Sequence, residues 1–263
     1  MNKLVSVEEV LAELTGESTV VVGGWGDIRK PMRVLAAIAQ SQIEPIRVFS
    51  YAALDLDLLV GAGKVKGGVY GFISADGGAP FKPRLVDAAR RSGAIELREM
   101  DEYMFSCQFK AAAERVPFFP IRGGVGTDVL SVNPEIRTIR DPYRNELVVA
   151  VPAVYPDLAI LHANRADAHG NIEIVGDPYF DKVFAKAAKK VFVSCEEIVD
   201  VGQIENASIL GTFVDGVVKA PGGARPGSCY PSYSYDAEFL SAYQTAAEDP
   251  EAFASFVAQM PAA

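Results

Sequence analysis

Short β-branched or apolar runs that end near glycine, each followed by a helix-like segment, recur through the first hundred residues. Ser18-Thr-Val-Val-Val-Gly-Gly-Trp-Gly26 is the plainest case. Pro31 then stands where a helix would begin, ahead of Met32–Ala39. Ile46–Ser50 reads as a second strand and Leu54–Val60 as a helix. Val69–Ile73 reads as a third strand after Gly67-Gly68, and Pro83–Ser92 as a helix stopped by Gly93. Alternation of this kind predicts an α/β fold: a single open, mostly parallel sheet flanked by helices. Ligands of such sheets bind outside the carboxyl ends of the strands. No low-complexity linker or short repeat interrupts the pattern, so residues 1–263 are expected to form one domain.

Residues 6–15 form an amphipathic helix pattern, and Met104, Phe105, Phe109 and Ala112 share a second helical face that Pro117 terminates. Residues 131–144 are polar and read as an excursion. Glu146–Val151 and Leu158–His162 resume strands, and His162–Asn171 reads as a polar loop of turn formers. Asp181–Lys190 is expected to be a helix and Val191–Cys195 a strand. Short strands follow around 212–218, and helices at 236–247 and 251–260 close the chain. Ala75–Pro80 is a glycine-rich loop suited to covering a pocket.

A net charge of −9 argues against nucleic-acid binding, which needs a basic footprint. No apolar run reaches the roughly 18 residues a membrane helix requires, and the N-terminus lacks a signal-peptide apolar core. Two histidines and three scattered cysteines make neither a metal-ligand spacing nor a disulfide framework, and point to a reduced cytoplasm. The expected partner is a small molecule or another protein chain, with no metal.

Two stretches carry the chemistry. The first is Gly23-Gly-Trp-Gly26, where strand, glycine turn and helix aim backbone N–H groups at an anion or polarised carbonyl. It is not the dinucleotide pattern Gly-x-Gly-x-x-Gly. The second is 97–128, with Glu99, Asp101 and Glu102 at the start of a helix and Arg122 beside Gly123-Gly124-Val125-Gly126 at its end. A carboxylate, a guanidinium and amides are thus expected at one pocket. The alternatives are plain: Asp101 caps the helix while Glu102 complements its dipole, Arg122 is an interface or surface arginine, and Trp25 is core packing. His162 and His169 read as loop hydrogen-bonders.

The order of four segments resembles the α subunits of class I coenzyme A transferases. They are Gly23–Gly26 with Pro31, Val116–Asp128, His162–Asn171 and Val214–Pro226. The resemblance implies a coenzyme-A-transferase-like fold, a β subunit in an α2β2 heterotetramer and an acyl-CoA ligand at the subunit interface. No cofactor is implied beyond the coenzyme A of the substrate. In that family the nucleophilic glutamate belongs to the β subunit, and Glu205-Asn206 imitates its motif only by coincidence. Where transferases carry small residues this chain has Asp27, Arg29 and Lys30, and it has Pro120-Ile-Arg-Gly123 in place of Thr-Pro-Thr-Gly. Those changes, with Arg98–Glu102 and Asp177-Pro-Tyr-Phe-Asp181, resemble the branch of cholesterol ring-opening hydrolases.

The likeness to that branch implies hydrolytic C–C cleavage of a cyclic β-oxo acyl-CoA, with Glu102 as the acid/base group. Water adds to a ring ketone and the bond breaks towards a thioester-stabilised enolate. A positioned carboxylate accelerates such proton transfers roughly 10²–10⁴-fold. Partial burial beside Glu99 and Asp101 would suit Glu102 to that work. Arg122 would hold the ketone oxygen or a substrate carboxylate. Gly24, Trp25, Gly26, Gly123 and Gly124 would line the thioester pocket, and Arg29 and Lys30 would meet the coenzyme A phosphates or face solvent. The competing reading is a true transferase chain, of glutaconate type, whose partner supplies the nucleophile.

Overall fold

A computed structural model describes residues 2–75 and 81–263; the expected covering loop Ala75–Pro80 lies, apart from Ala75, outside them. The large sheet takes β1 (Thr19–Val22), β2 (Ile46–Ala52), β3 (Val65–Ile73) and β4 (Glu96–Glu99) in sequence order on one side. The chain then leaves to build a small antiparallel sheet from β5 (Phe118–Ile121), β6 (Arg137–Arg140) and β7 (Leu147–Pro152), with β7 in the middle. It returns on the other side of β1 with β8 (Leu158–Asp167) and, beyond the two-residue β9 (Ile172–Glu173), with β10 (Lys190–Val199) and β11 (Gly216–Lys219). Among the described residues, every pairing between the named strands of the large sheet is parallel except that of β9 with β8. The strand order therefore reverses between β1 and β8, which opens a crevice at their carboxyl ends.

Side-chain alternation along the strands splits the interior into two cores. In β1, Val20 and Val22 face one core and Val21 the other. Leu158 and Ile160 alternate in the same way with Ala159 and Leu161, and Phe192 with Val191 and Val193. The first core is closed by α1 (Val7–Ala12), α2 (Met32–Gln40), α3 (Leu54–Gly61) and α4 (Arg84–Ser92), together with the C-terminal pair described below. The second is closed by α5 (Glu102–Ala113), the small sheet, the single-turn α6 (Val129–Val132) and α7 (Asp181–Ala187). There Phe105, Phe109 and Phe184 meet edge to face, with ring centroids 5.0–6.4 Å apart. The C-terminal α8 (Ala237–Ala246) and α9 (Pro250–Gln259) pack on the first core through Leu240, Tyr243, Phe253 and Val257.

The parallel α/β sheet is as expected, but it is not the only sheet. The polar excursion 131–144 holds β6, whose Arg137–Arg140 pairs with β7. An outer strand of a small sheet needs few apolar residues, so little in the sequence marks it. The expected loop His162–Asn171 is also corrected: β8 runs on to Asp167, so His162 lies within a strand, fully buried. Its polar run is tolerated in the interior because each polar group there finds a partner.

Candidate active site

Glu102 is the first residue of α5. Asp101 caps the helix, accepting from the N–H groups of Tyr103 at 3.0 Å and Met104 at 3.1 Å, so the Glu102 side chain is free of that duty. Instead its Oε1 accepts from the indole Nε1–H of Trp25 at 3.1 Å. The Glu102 carbonyl accepts from the Tyr51 hydroxyl, at the end of β2, at 2.7 Å. The helix start thus sits over the carboxyl ends of β2 and β3, beside the loop that follows β1. The first glycine loop and the carboxylate do share one rim.

Trp25 is held on two sides. It stacks on Tyr179 with centroids 5.4 Å apart and planes 10° from parallel, and meets the edge of Phe72 at 5.0 Å. The loop that carries it is a tight turn: Trp25 and Ile28 exchange backbone hydrogen bonds at 3.0 and 2.9 Å. Gly24 has φ +73°, and a Cβ there would stand 2.4 Å from the Ile28 carbonyl oxygen. The Gly24 N–H donates to Asp181 Oδ1 at 2.8 Å. That amide is committed to the protein and is not one of the ligand-binding donors expected of the loop.

Arg29 and Lys30 meet neither phosphate nor solvent: each is only 1% exposed. Arg29 Nη1 donates to Asp181 Oδ2 at 2.7 Å and to the His162 carbonyl at 3.2 Å, and Nη2 to the Asp177 carbonyl at 2.9 Å. Lys30 Nζ donates to Ser50 Oγ at 2.8 Å and pairs with Asp55 at 3.2 Å. Burial lowers the Lys30 pKa despite the Asp55 charge. Two charges this deep persist only because each has an acid beside it, and their role is to brace the wall behind the loop.

Arg122 departs from expectation in another way. Its Nε and Nη2 both donate to Glu146 Oε2, at 3.2 and 3.0 Å, in an exposed pair. It lines a cleft of about 730 Å3 with Tyr103, Phe119, Gly123, Asp141 and Tyr143. Glu102 lines a different cleft, of about 660 Å3, with Gly71, Arg90, Arg98, Met100, Asp128 and Val129. Successive residues at the start of α5, Glu102 and Tyr103, face the two sides. Glu102 is exposed, so this chain does not supply the burial expected for it. Gly124 at φ +88° lets the second glycine loop lie against α5, where an added Cβ would strike the Met104 methyl. Its visible role is therefore close packing.

A second cluster lies under the carboxyl ends of β8 and β10. His162 Nε2 is 2.8 Å from Glu196 Oε1 and Nδ1 is 2.9 Å from Ser194 Oγ. Because a carboxylate only accepts, Nε2 carries the proton. Glu196 also accepts from the Tyr233 hydroxyl and from the N–H groups of Gly222 and Gly223. Burial alone would raise the Glu196 pKa, but the bonds from His162, Tyr233 and Gly222 outweigh it and hold it at about 2. Burial pushes His162 down more than Glu196 lifts it. Among the described residues, His162, Glu196 and Cys229 bring ligand atoms within 4.8 Å of one another. The donor set does not suit a metal: Glu196 is already saturated by four donors, and burial pushes the Cys229 thiol up to about 12. The cluster anchors the loop after β11.

Several parts of this site have no clear mark in the sequence. Tyr51 and Phe72 sit in strands beside other aromatics, Phe49 and Tyr70, and nothing local sets them apart. Asp181 reads like an ordinary first residue of a helix. Its neighbours Asp177-Pro-Tyr-Phe are the one local signal.

The comparisons with known proteins agree with this architecture. The cholesterol ring-cleaving hydrolase IpdA subunit of Rhodococcus jostii (strain RHA1) is 40% identical over 270 residues, covering 98% of this chain and 91% of that one. The corresponding chain of the glutaconate CoA-transferase of Acidaminococcus fermentans is 30% identical, over 97% of this chain and 87% of that one. The crystal structure of that transferase superposes with a TM-score of 0.91 at 28% identity, covering 99% of this chain and 90% of that one. A variant of the decarboxylase AibA/AibB superposes with a TM-score of 0.90 at 30% identity, covering 98% of both chains. The coenzyme A transferase family model matches residues 4–220, and with this extent of likeness in sequence and fold the chain belongs to the coenzyme A transferase family.

Proposed function

We propose that this chain is the α subunit of a hydrolase of two kinds of chain that opens a carbon ring of a cyclic β-oxo acyl-CoA in steroid ring degradation. Retro-Claisen addition of water is the reaction, and Glu102 is its acid/base group. The observation that carries this reading is the Glu102 carboxylate, fixed at a helix start by Trp25 and facing an open cleft above the parallel strands. The 40% identity to the ring-cleaving hydrolase supports the substrate class. A β subunit, in an α2β2 assembly in the cytoplasm, covers the exposed cleft and supplies the burial that this chain lacks. Arg122 serves as the oxyanion partner once it leaves Glu146 and swings past Tyr103 from its own cleft into that of Glu102. Gly123 lines the thioester path beside Arg122, Gly26 is buried in the turn behind Trp25, and no cofactor acts besides the coenzyme A of the substrate.

The test is to purify the chain with the product of its neighbouring gene and follow cyclic β-oxo acyl-CoA compounds by mass spectrometry. Gain of one water with coenzyme A still attached is expected. Glu102→Gln in the assembled complex should lose at least about 10²-fold in turnover, the usual scale for an acid/base group. Retained turnover would remove Glu102 from the mechanism. The glutaconate transferase likeness supports a second reading, transfer of coenzyme A through a partner glutamate. A hydroxylamine-sensitive glutamyl-CoA adduct on the partner would replace hydrolysis with that reading.

A further inference from the structure

We propose that Trp25 is the positioning residue for the Glu102 carboxylate: its indole N–H holds one carboxylate oxygen and leaves the other to exchange protons with substrate and water. The inference rests on the acid/base reading of Glu102 but concerns a different residue and has its own test. An exposed glutamate at the first position of a helix ordinarily samples several rotamers, since long side chains lose considerable entropy on being fixed. Here Oε1 is tied at 3.1 Å to a donor that belongs to another part of the fold.

The donor is itself immobilised. Tyr179 stacks on one face of the indole and Phe72 meets its edge. The Tyr179 ring in turn lies 5.7 Å from the guanidinium carbon of Arg29. Arg29 is locked by Asp181, which also accepts from the N–H of Gly24, next to Trp25. One buried ion pair thereby fixes both the backbone of the loop and the ring that stacks on the indole. The chain of contacts runs from a rigid interior to a single oxygen atom of an exposed carboxylate. An indole has a donor and no acceptor, so this contact can only be Trp25 donating to the Glu102 oxygen.

Other charged and titratable groups surround Glu102 on every side. Asp101 precedes it. Arg90 from α4, Arg98 and Glu99 from β4, and Asp128 before α6 line the same cleft. The Tyr51 phenol from β2 bonds its carbonyl, and Lys110 lies further along α5, over the Tyr103 ring. Trp25→Phe touches none of these. It keeps an aromatic ring for Tyr179 and Phe72 while deleting the donor.

In the assembled complex Trp25→Phe should lower kcat roughly tenfold with KM little changed, as expected for one hydrogen bond to a charged group. A kcat left unchanged by Trp25→Phe, or a loss carried by KM instead of kcat, would overturn the inference. If Glu102→Gln abolishes turnover while Trp25→Phe changes nothing, the acid/base reading stands and the positioning role falls. A second measurement needs neither activity nor a variant of Trp25. The chain has one tryptophan, so 15N-indole labelling of this chain, assembled with unlabelled partner, gives one indole N–H resonance. That resonance should lie downfield, as for a donor to a carboxylate, and move upfield in Glu102→Gln. A resonance that keeps the same position in Glu102→Gln would overturn the inference.

Discussion

Buried charge and surface charge have opposite weights in this molecule. Arg29 and Asp181 are 1% and 0% exposed, whereas the side chains of Arg122 and Glu146 are 70% and 48% exposed. The surface pair, screened by water, contributes about 1 kcal/mol or less. Removing one partner of the buried pair leaves an uncompensated charge in the interior and costs about 3–5 kcal/mol. Asp181→Asn is therefore expected to lower the urea midpoint substantially. It retains an oxygen for the Gly24 N–H, so the loss is attributable to the stranded guanidinium. A change within about 1 kcal/mol would show that the pair is replaceable.

The start of α5 is where element geometry becomes chemistry. A helix leaves its first N–H groups without partners, and Asp101 satisfies two of them. That division of labour releases Glu102 from capping: the capping half of the competing reading falls to Asp101, and Glu102 stays free for the proposed proton work. Asp101→Ala should cost about 1 kcal/mol in unfolding and also reduce turnover of the assembled enzyme, because the frayed turn is the one that bears Glu102. Asp101→Asn, which keeps a capping oxygen, should restore both. Turnover unaffected by Asp101→Ala would mean that Trp25 and Tyr51 alone hold the turn.

At the scale of the whole molecule, three interior groups govern the response to acid. His162 has its pKa lowered from 6.5, so below that pH the unfolded chain binds a proton that the fold refuses, and stability falls. Glu196, held at about 2 against an ordinary 4.5, contributes stability above 4.5 that is lost as pH falls towards 2. Asp57 acts in the opposite sense. Burial raises it to about 6 in spite of bonds from the Val86 N–H, the Tyr243 hydroxyl and the Leu85 N–H. Its contribution is present below 3.8 and lost as pH rises through 6. Urea unfolding across pH should show a decline below about 6.5 that is shallower in His162→Gln and steeper in Asp57→Asn. Identical slopes in all three proteins would remove these groups as the cause.

How much of this is written in the chain depends on the range of each interaction. Strand runs ended by glycine, Pro31 at a helix start and Gly93 at a helix stop are local signals, and they determine a parallel α/β sheet before any contact is known. The same locality exposes Glu102 and Trp25 as candidates, because an acidic helix start and a glycine turn are each legible within a few residues. Their meeting is a contact between residues 25 and 102, and only the tertiary structure decided it. Arg29 and Lys30 read as surface cations because nothing nearby in sequence neutralises them completely. Asp181, 152 residues away from Arg29, does so in space. His162 reads as part of a loop because polar residues in a strand are tolerable only when distant partners, here Ser194 and Glu196, complete their hydrogen bonds. Periodicity along the chain determines which segments bury apolar surface. Whether a charged or polar side chain is buried depends on a partner that folding alone brings within reach.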